Sequence, residues 1–195
     1  MTTIWRTSLL LLAAALAACG NPDAAKFRGT DVTGADFGKT LALTGHDGKP
    51  RVLEDFRGKL VVLFFGYTHC PDICPTTLAD TAAALKTLGP DAARVQVLFV
   101  TLDPERDTPE LLAKYVPYFN PDFLGLSGDA AATERAAKEF KIFYEKRPGA
   151  APGAYTVDHS AQVYVLDAEG RLRLVERNER ISQDLAPDLR ALLKG

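Results

Sequence analysis

Two cysteines, Cys70 and Cys74, are separated by three residues in Tyr67-Thr68-His69-Cys70-Pro71-Asp72-Ile73-Cys74-Pro75. Such a pair can close a disulfide or hold a soft metal ion, because thiolates select Cu(I), zinc or iron–sulfur clusters. Zinc usually takes four ligands in a structural site. Cu(I) accepts two or three, so one imidazole would complete a trigonal site. The histidines to consider are His69, beside the first cysteine, and His159, which must arrive through the fold. Thioredoxin-type redox motifs space their cysteines by two residues, not three, which argues against an ordinary thioredoxin without removing redox work.

The dithiol follows the apolar run Leu60-Val61-Val62-Leu63-Phe64-Phe65 and precedes a helical pattern with Leu78, Ala82, Leu85 and Leu88, expected over Thr76–Leu88. That order reads as strand, loop, helix, with both thiols at the junction. A helix amino terminus favours negative charge and lowers a thiol pKa. Pro75 fits the start of that helix.

The 195 residues carry a net charge of −2, 47% hydrophobic and 25% charged residues. These are values of one ordinary globular domain with no basic block for nucleic acid. Residues 1–18 differ: Arg6 precedes a Leu/Ala run that ends in Leu16-Ala17-Ala18-Cys19. The run is short for a bilayer span and reads as an export signal. Leu-Ala-Ala-Cys resembles a bacterial lipobox, so Cys19 is expected to carry lipid. Residues 19–36 would then be a lipidated tether, and 37–195 the folded domain in an oxidising compartment. Of three cysteines, only Cys70 and Cys74 would remain free for chemistry.

Phe27–Phe37 reads as irregular. Thr40–Thr44 and Arg51–Leu53 form a hairpin signal around Asp47-Gly48, with His46 solvated in its turn. Val95–Leu102 reads as a central parallel strand. Thr108 is an N-cap before Pro109, with a helix to about Phe119. Phe123–Leu126 is a strand, Asp129–Phe140 a helix, Phe143–Lys146 an edge, and 147–154 a loop. Thr156–Ser160 opens the strand Ala161–Leu166, which returns through Arg171–Val175. Ser182–Leu193 closes the chain as a helix. The expected fold is α/β: a thioredoxin-like three-layer sandwich, with a mixed sheet, helices on both faces and an added N-terminal β-hairpin. The dithiol sits at the carboxyl end of an early strand, where such sheets place their sites.

Gly66–Pro75, together with Leu102-Asp103-Pro104-Glu105-Arg106-Asp107-Thr108-Pro109 and Val157-Asp158-His159-Ser160, resembles the signatures of the Sco/SenC family of copper chaperones. The likeness runs from about Phe37 through the last helix. It implies a membrane-anchored, extracytoplasmic protein that assembles the binuclear CuA centre of cytochrome c oxidase. It implies Cys70, Cys74 and His159 as copper ligands, for Cu(I) and also Cu(II). Asp103, and Asp158 beside the histidine, are candidates for tuning the site from outside the ligand set. The implied partners are the CuA-bearing subunit, other periplasmic copper carriers and thioredoxin-like reductants. Two chemistries stay open. A metallochaperone would use the reduced dithiol, with a Cys70–Cys74 disulfide switching binding off. A thiol–disulfide oxidoreductase would use the same pair to reduce the acceptor's cysteines.

Overall fold

Every residue of Leu60–Gly66 is buried, as a strand covered on both faces must be. The computed structural model describes residues 27–194. Within them ten strands and four α-helices follow in order. The strands are β1 (Thr30–Asp31), β2 (Ala42–Gly45), β3 (Pro50–Val52), β4 (Leu60–Gly66), β5 (Val95–Thr101), β6 (Leu124–Ser127), β7 (Tyr144–Pro148), β8 (Tyr155–His159), β9 (Val163–Leu166) and β10 (Leu172–Glu176). The helices are α1 (Ile73–Leu88), α2 (Pro109–Phe119), α3 (Ala130–Glu139) and α4 (Ile181–Lys194). The stretch expected to be an export signal, Cys19 and the first part of the expected tether lie outside the described residues.

Eight strands form one sheet in the order β1-β10-β9-β4-β5-β6-β2-β3. β4 pairs parallel with β5, and β5 with β6, while β4 pairs antiparallel with β9. The sheet is therefore mixed, and the hairpin β2–β3 extends its β6 edge. Successive right-handed crossovers put α1 and α2 on the same face. Phe64 and Phe99 meet there beneath Tyr115 of α2, and α4 packs on α1. Phe65 points to the opposite face, where it meets Phe140 at the end of α3. Helices thus cover both faces, as the pattern implied. The fully buried Phe64, Phe65, Phe99 and Phe140 each contribute roughly 2 kcal/mol through burial.

Caps follow from the sequence. The Thr108 hydroxyl accepts the Leu111 amide at 3.3 Å, and the Asp129 carboxylate accepts the Ala132 amide at 2.7 Å. Gly48, at φ +77°, closes the β2–β3 turn. That is a conformation only glycine adopts without strain.

The structure departs from the expectations in five places. First, α1 begins at Ile73 rather than near Thr76, so Cys74 and Pro75 already lie in its first turn. Proline is tolerated there because first-turn amides have no intrahelical acceptor. Second, Thr30–Asp31, inside the stretch read as irregular, pairs with β10. The Asp188 carboxylate accepts the backbone amides of Arg28 and Gly29 and fixes the approach. Third, Arg147 and Pro148 belong to β7 and not to a loop. Fourth, residues 155–159 form β8, which pairs with β7 in a separate two-stranded sheet instead of starting the following strand.

The fifth concerns His46, which is part-buried and held by β6 rather than simply solvated in the turn. Its Nδ1 accepts the Gly125 amide at 3.0 Å, and its own amide donates to the Gly125 carbonyl at 2.8 Å. Burial holds its pKa below the ordinary histidine value, which suits a ring nitrogen used as an acceptor. His46 fastens the hairpin to β6.

Candidate metal centre

The loop that follows β4 turns sharply, with the Cys70 amide donating to the Tyr67 carbonyl, and delivers Cys70 to the mouth of α1. No side chain caps that helix. Instead the Cys70 sulfur accepts the Cys74 amide at 3.3 Å. A sulfur that receives a helix-terminal N–H is stabilised as thiolate.

Cys74, one turn on, is fully buried, while Cys70 is half-buried. Gly66 makes the room. A Cβ there would lie 2.8 Å from the Cys74 sulfur and 2.9 Å from the Phe99 ring. Both thiols are free. They titrate as a pair that shares a proton. The hydrogen bond from Cys74 pulls the Cys70 pKa well below the thiol range, helped by the backbone amides of Asp72 and Cys74. Donation to Cys70, burial and the Cys70 charge push Cys74 up.

His159 closes β8 and reaches the same point. Its Nε2 lies 3.4 Å from the Cys74 sulfur. Its Nδ1 is 2.9 Å from the Ser160 carbonyl, which can only accept. Nδ1 therefore carries the proton, and the Nε2 lone pair faces the thiols. Tyr67 and Phe64 pack against the ring at 5.9 and 6.3 Å. One donor atom each from Cys70, Cys74 and His159 lies within 4.8 Å of the other two, the one such group of three or more among the described residues. The site opens into a shallow groove with Tyr67, Pro71, Ile73 and Val157. A second groove, lined by Thr33, Phe37, Lys39 and Arg173, lies at the β1–β10 edge and shares no residue with it.

His69, the other histidine weighed, stays on the exposed side of the loop. Its Nδ1 is 3.0 Å from the Thr68 hydroxyl and 3.8 Å from Asp107. Asp158 is exposed and turned away, its carboxylate 3.0 Å from the Arg147 guanidinium. Alternation along β8 explains this: residues next to His159 face the other side. Asp103 is fully buried and bonds the Tyr155 hydroxyl at 2.7 Å and the Arg106 guanidinium. Its carboxylate contacts the strand that carries His159.

Asp107 was not singled out by the sequence reading. It is buried, accepts the Thr68 amide and hydroxyl, and accepts the Thr101 hydroxyl at 2.6 Å. It ties the thiol loop to the end of β5. Ser160 was also missed as the partner of His159 Nδ1. A backbone carbonyl has no signature in sequence. Asp107 had one, as a second acid four residues after Asp103 beyond a buried strand.

The family model described as SCO1/SenC matches residues 29–194. The chain belongs to the SCO1/SenC family. The mitochondrial SCO2 homologue of Mus musculus is 36% identical over 152 residues, covering 77% of this chain and 60% of that protein. That of Bos taurus is 41% identical over 132 residues, covering 67% and 50%. The chain thus spans about half to three-fifths of the length of these curated relatives. Among solved structures, apo Sco1 of Thermus thermophilus has a TM-score of 0.77 at 44% identity, covering 86% of this chain and 97% of that one. Copper-bound ScoI of Bradyrhizobium japonicum has a TM-score of 0.74 at 37% identity, covering 80% and 99%. The fold is the thioredoxin-like α/β fold of these Sco proteins. No helix among the described residues is long and apolar enough to cross a membrane.

Proposed function

We propose that this Sco protein is a copper carrier that takes one copper ion on Cys70, Cys74 and His159 and passes it to the CuA-bearing subunit of cytochrome c oxidase. The observation that carries the reading is the convergence of two sulfurs and an imidazole nitrogen within 4.8 Å. That donor set suits Cu(I), which accepts few, soft ligands, and imidazole extends it toward Cu(II). It leaves zinc one ligand short of a closed structural site.

The half-exposed Cys70 suits hand-over by ligand exchange, since an incoming acceptor thiolate can reach the ion from the open side. Copper is cargo here, so the site needs access as well as affinity. The reading includes a lipid anchor on Cys19 that holds the domain against the membrane from the extracytoplasmic side. It also includes other copper carriers or thioredoxin-like reductants as suppliers of metal and electrons.

A second reading is favoured by the asymmetry of the two thiols. Cys70 has the lowered pKa and the exposure of an attacking thiolate. In that role it attacks an acceptor disulfide and releases one acceptor thiolate. Cys74 then gives up its proton and attacks the Cys70 sulfur. The second acceptor thiol leaves and a Cys70–Cys74 disulfide remains, so two electrons pass to the acceptor.

Copper titration of the reduced soluble domain separates the readings. One ion per molecule, weakened by Cys70→Ser, Cys74→Ser and His159→Ala alike, establishes the carrier. Absence of binding, or binding indifferent to His159→Ala, removes the three-ligand site and leaves disulfide exchange in the lead.

A further inference from the structure

His159 comes to the thiols on a ribbon that stands apart from the main sheet. β7 and β8 pair with each other in their own two-stranded sheet, and an isolated two-stranded ribbon is marginal in water. Something must therefore seat β8 for the imidazole to arrive. Alternation turns Tyr155, Val157 and His159 inward and leaves Thr156 and Asp158 exposed. Val157, only 3% exposed, is the apolar part of the seat.

Tyr155 is the polar part. Its hydroxyl donates to Asp103 Oδ1 at 2.7 Å, and its carbonyl accepts Arg106 Nη1 at 3.0 Å. The Arg106 guanidinium lies 3.6 Å from the centre of its ring. Arg106 Nε donates to the other oxygen of Asp103, so one buried carboxylate receives both groups. The guanidinium is also 5.9 Å from the centre of the Tyr67 ring, which itself meets the His159 ring edge-on. Arg106 Nη2 is buried without a hydrogen-bond partner. Its orientation is therefore set by the fork and the ring, not by satisfying every donor.

We propose that Arg106 is the positioning residue for His159: its planar fork, held between Asp103 and the Tyr155 backbone, clamps β8 so that the imidazole reaches the dithiol. The proposal rests on the copper-carrier reading above. Copper holding uses the imidazole and disulfide exchange does not, so the clamp biases the site between its two chemistries. Closed, it presents three donors. Open, it presents two thiols.

The test uses Arg106→Ala, Arg106→Lys and Tyr155→Phe, each alone and combined with His159→Ala. Cu(I) affinity is read by competition with a chromophoric chelator, and amide hydrogen exchange of residues 155–159 is read on the reduced, metal-free protein. Arg106→Ala should weaken Cu(I) roughly 10–100-fold, the usual cost of losing the support of a metal ligand. It should speed exchange along β8, and it should add less than about twofold once His159 is gone, since coupled groups are not additive. Arg106→Lys should not restore binding, because an ammonium keeps the charge but lacks the fork. Tyr155→Phe, which removes one hydroxyl, should give a smaller loss in the same direction and serves if Arg106→Ala does not fold.

An equal loss with and without His159, full rescue by lysine, or unchanged exchange along β8 overturns the clamp. Copper binding indifferent to His159→Ala alone defeats the carrier reading instead, and the metal-free exchange data still judge the clamp.

Discussion

Cys74 and His159 stand 85 residues apart in the chain, and the Cys74 sulfur lies 3.4 Å from the imidazole Nε2. The contact is inside the protein on the thiol side and half-exposed on the histidine side. It joins the first turn of α1 to the last residue of β8. Removing either partner therefore has different consequences for the metal and for the fold.

His159→Ala should leave the dithiol in place and keep its reactivity toward a disulfide reagent. It should lower Cu(I) affinity by more than the roughly 10–100-fold expected for disturbing a ligand's support alone. Chelator competition and the rate of reaction with a small aromatic disulfide, run on the same sample, check this. Equal loss in both assays would mean that His159 acts on the thiols and not as a ligand.

Oxidation to a Cys70–Cys74 disulfide should abolish Cu(I) binding, because thiolates are the ligands and a disulfide sulfur is a poor one. Reduction should restore it fully. Equilibrium dialysis of oxidised and re-reduced protein is the measurement. Retained binding in the oxidised form contradicts the dithiol site.

Gly66→Ala should damage the site without touching a ligand. The added methyl would sit 2.8 Å from the Cys74 sulfur and 2.9 Å from the Phe99 ring, closer than packed atoms approach. Relief requires moving the thiol or the aromatic core, at a cost of about 1–3 kcal/mol. We expect a lower Tm together with weaker copper binding. A crystal structure with Cys74 unmoved and affinity unchanged would refute the packing argument.

Asp107→Ala should loosen the thiol loop. The carboxylate holds the Thr68 amide and the Thr101 hydroxyl, and its loss strands buried donors at about 1–3 kcal/mol each. Thermal unfolding should shift down by about 4–24 °C for a domain of this size. Copper affinity should fall with it, whereas a distant surface substitution such as Lys114→Ala should change neither.

Glu176 gives the stability a pH dependence far from the thiols. It is buried at the end of β10 facing Asp188 and Asp184, which are themselves bonded to the Arg28 and Gly29 amides and to Arg180. Burial first, then the Asp188 hydrogen bond and charge, raise its pKa to about 8 from the ordinary 4.5. The folded state therefore holds a proton that the unfolded chain releases across that interval. Its contribution is complete below about pH 4.5 and is lost as pH rises through about 8. Glu176→Gln, a neutral mimic, should match wild type near pH 4.5 and exceed its Tm by about 9–17 °C at pH 8. Parallel Tm curves across that range would disprove the buried neutral carboxyl.

Much of the site was legible in the sequence because its parts are local. The apolar run at Leu60–Phe65, the cysteines at its end and the helical spacing after them place two thiols at a helix mouth, whatever the rest of the fold does. Thr108-Pro109 and Asp129 set their helix starts through contacts within four residues. The mixed order of strands and helices followed from alternation and chain connectivity.

Other features depended on neighbours distant in sequence. Nothing near His46 distinguishes a solvated turn histidine from one that accepts the Gly125 amide. Thr30–Asp31 is a strand only because β10 offers an edge and Asp188 binds the two amides before it. Residues 155–159 carry strand character that fits either the main sheet or a separate ribbon, and only pairing with β7 decides between them. The sequence alone determined the pair of thiols, their place at a strand-to-helix junction and the family they resemble. The resemblance already pointed to His159; the tertiary structure decided through which ring nitrogen it faces the thiols and what holds it there, because a backbone carbonyl, a glycine's missing Cβ and a buried aspartate act only across space.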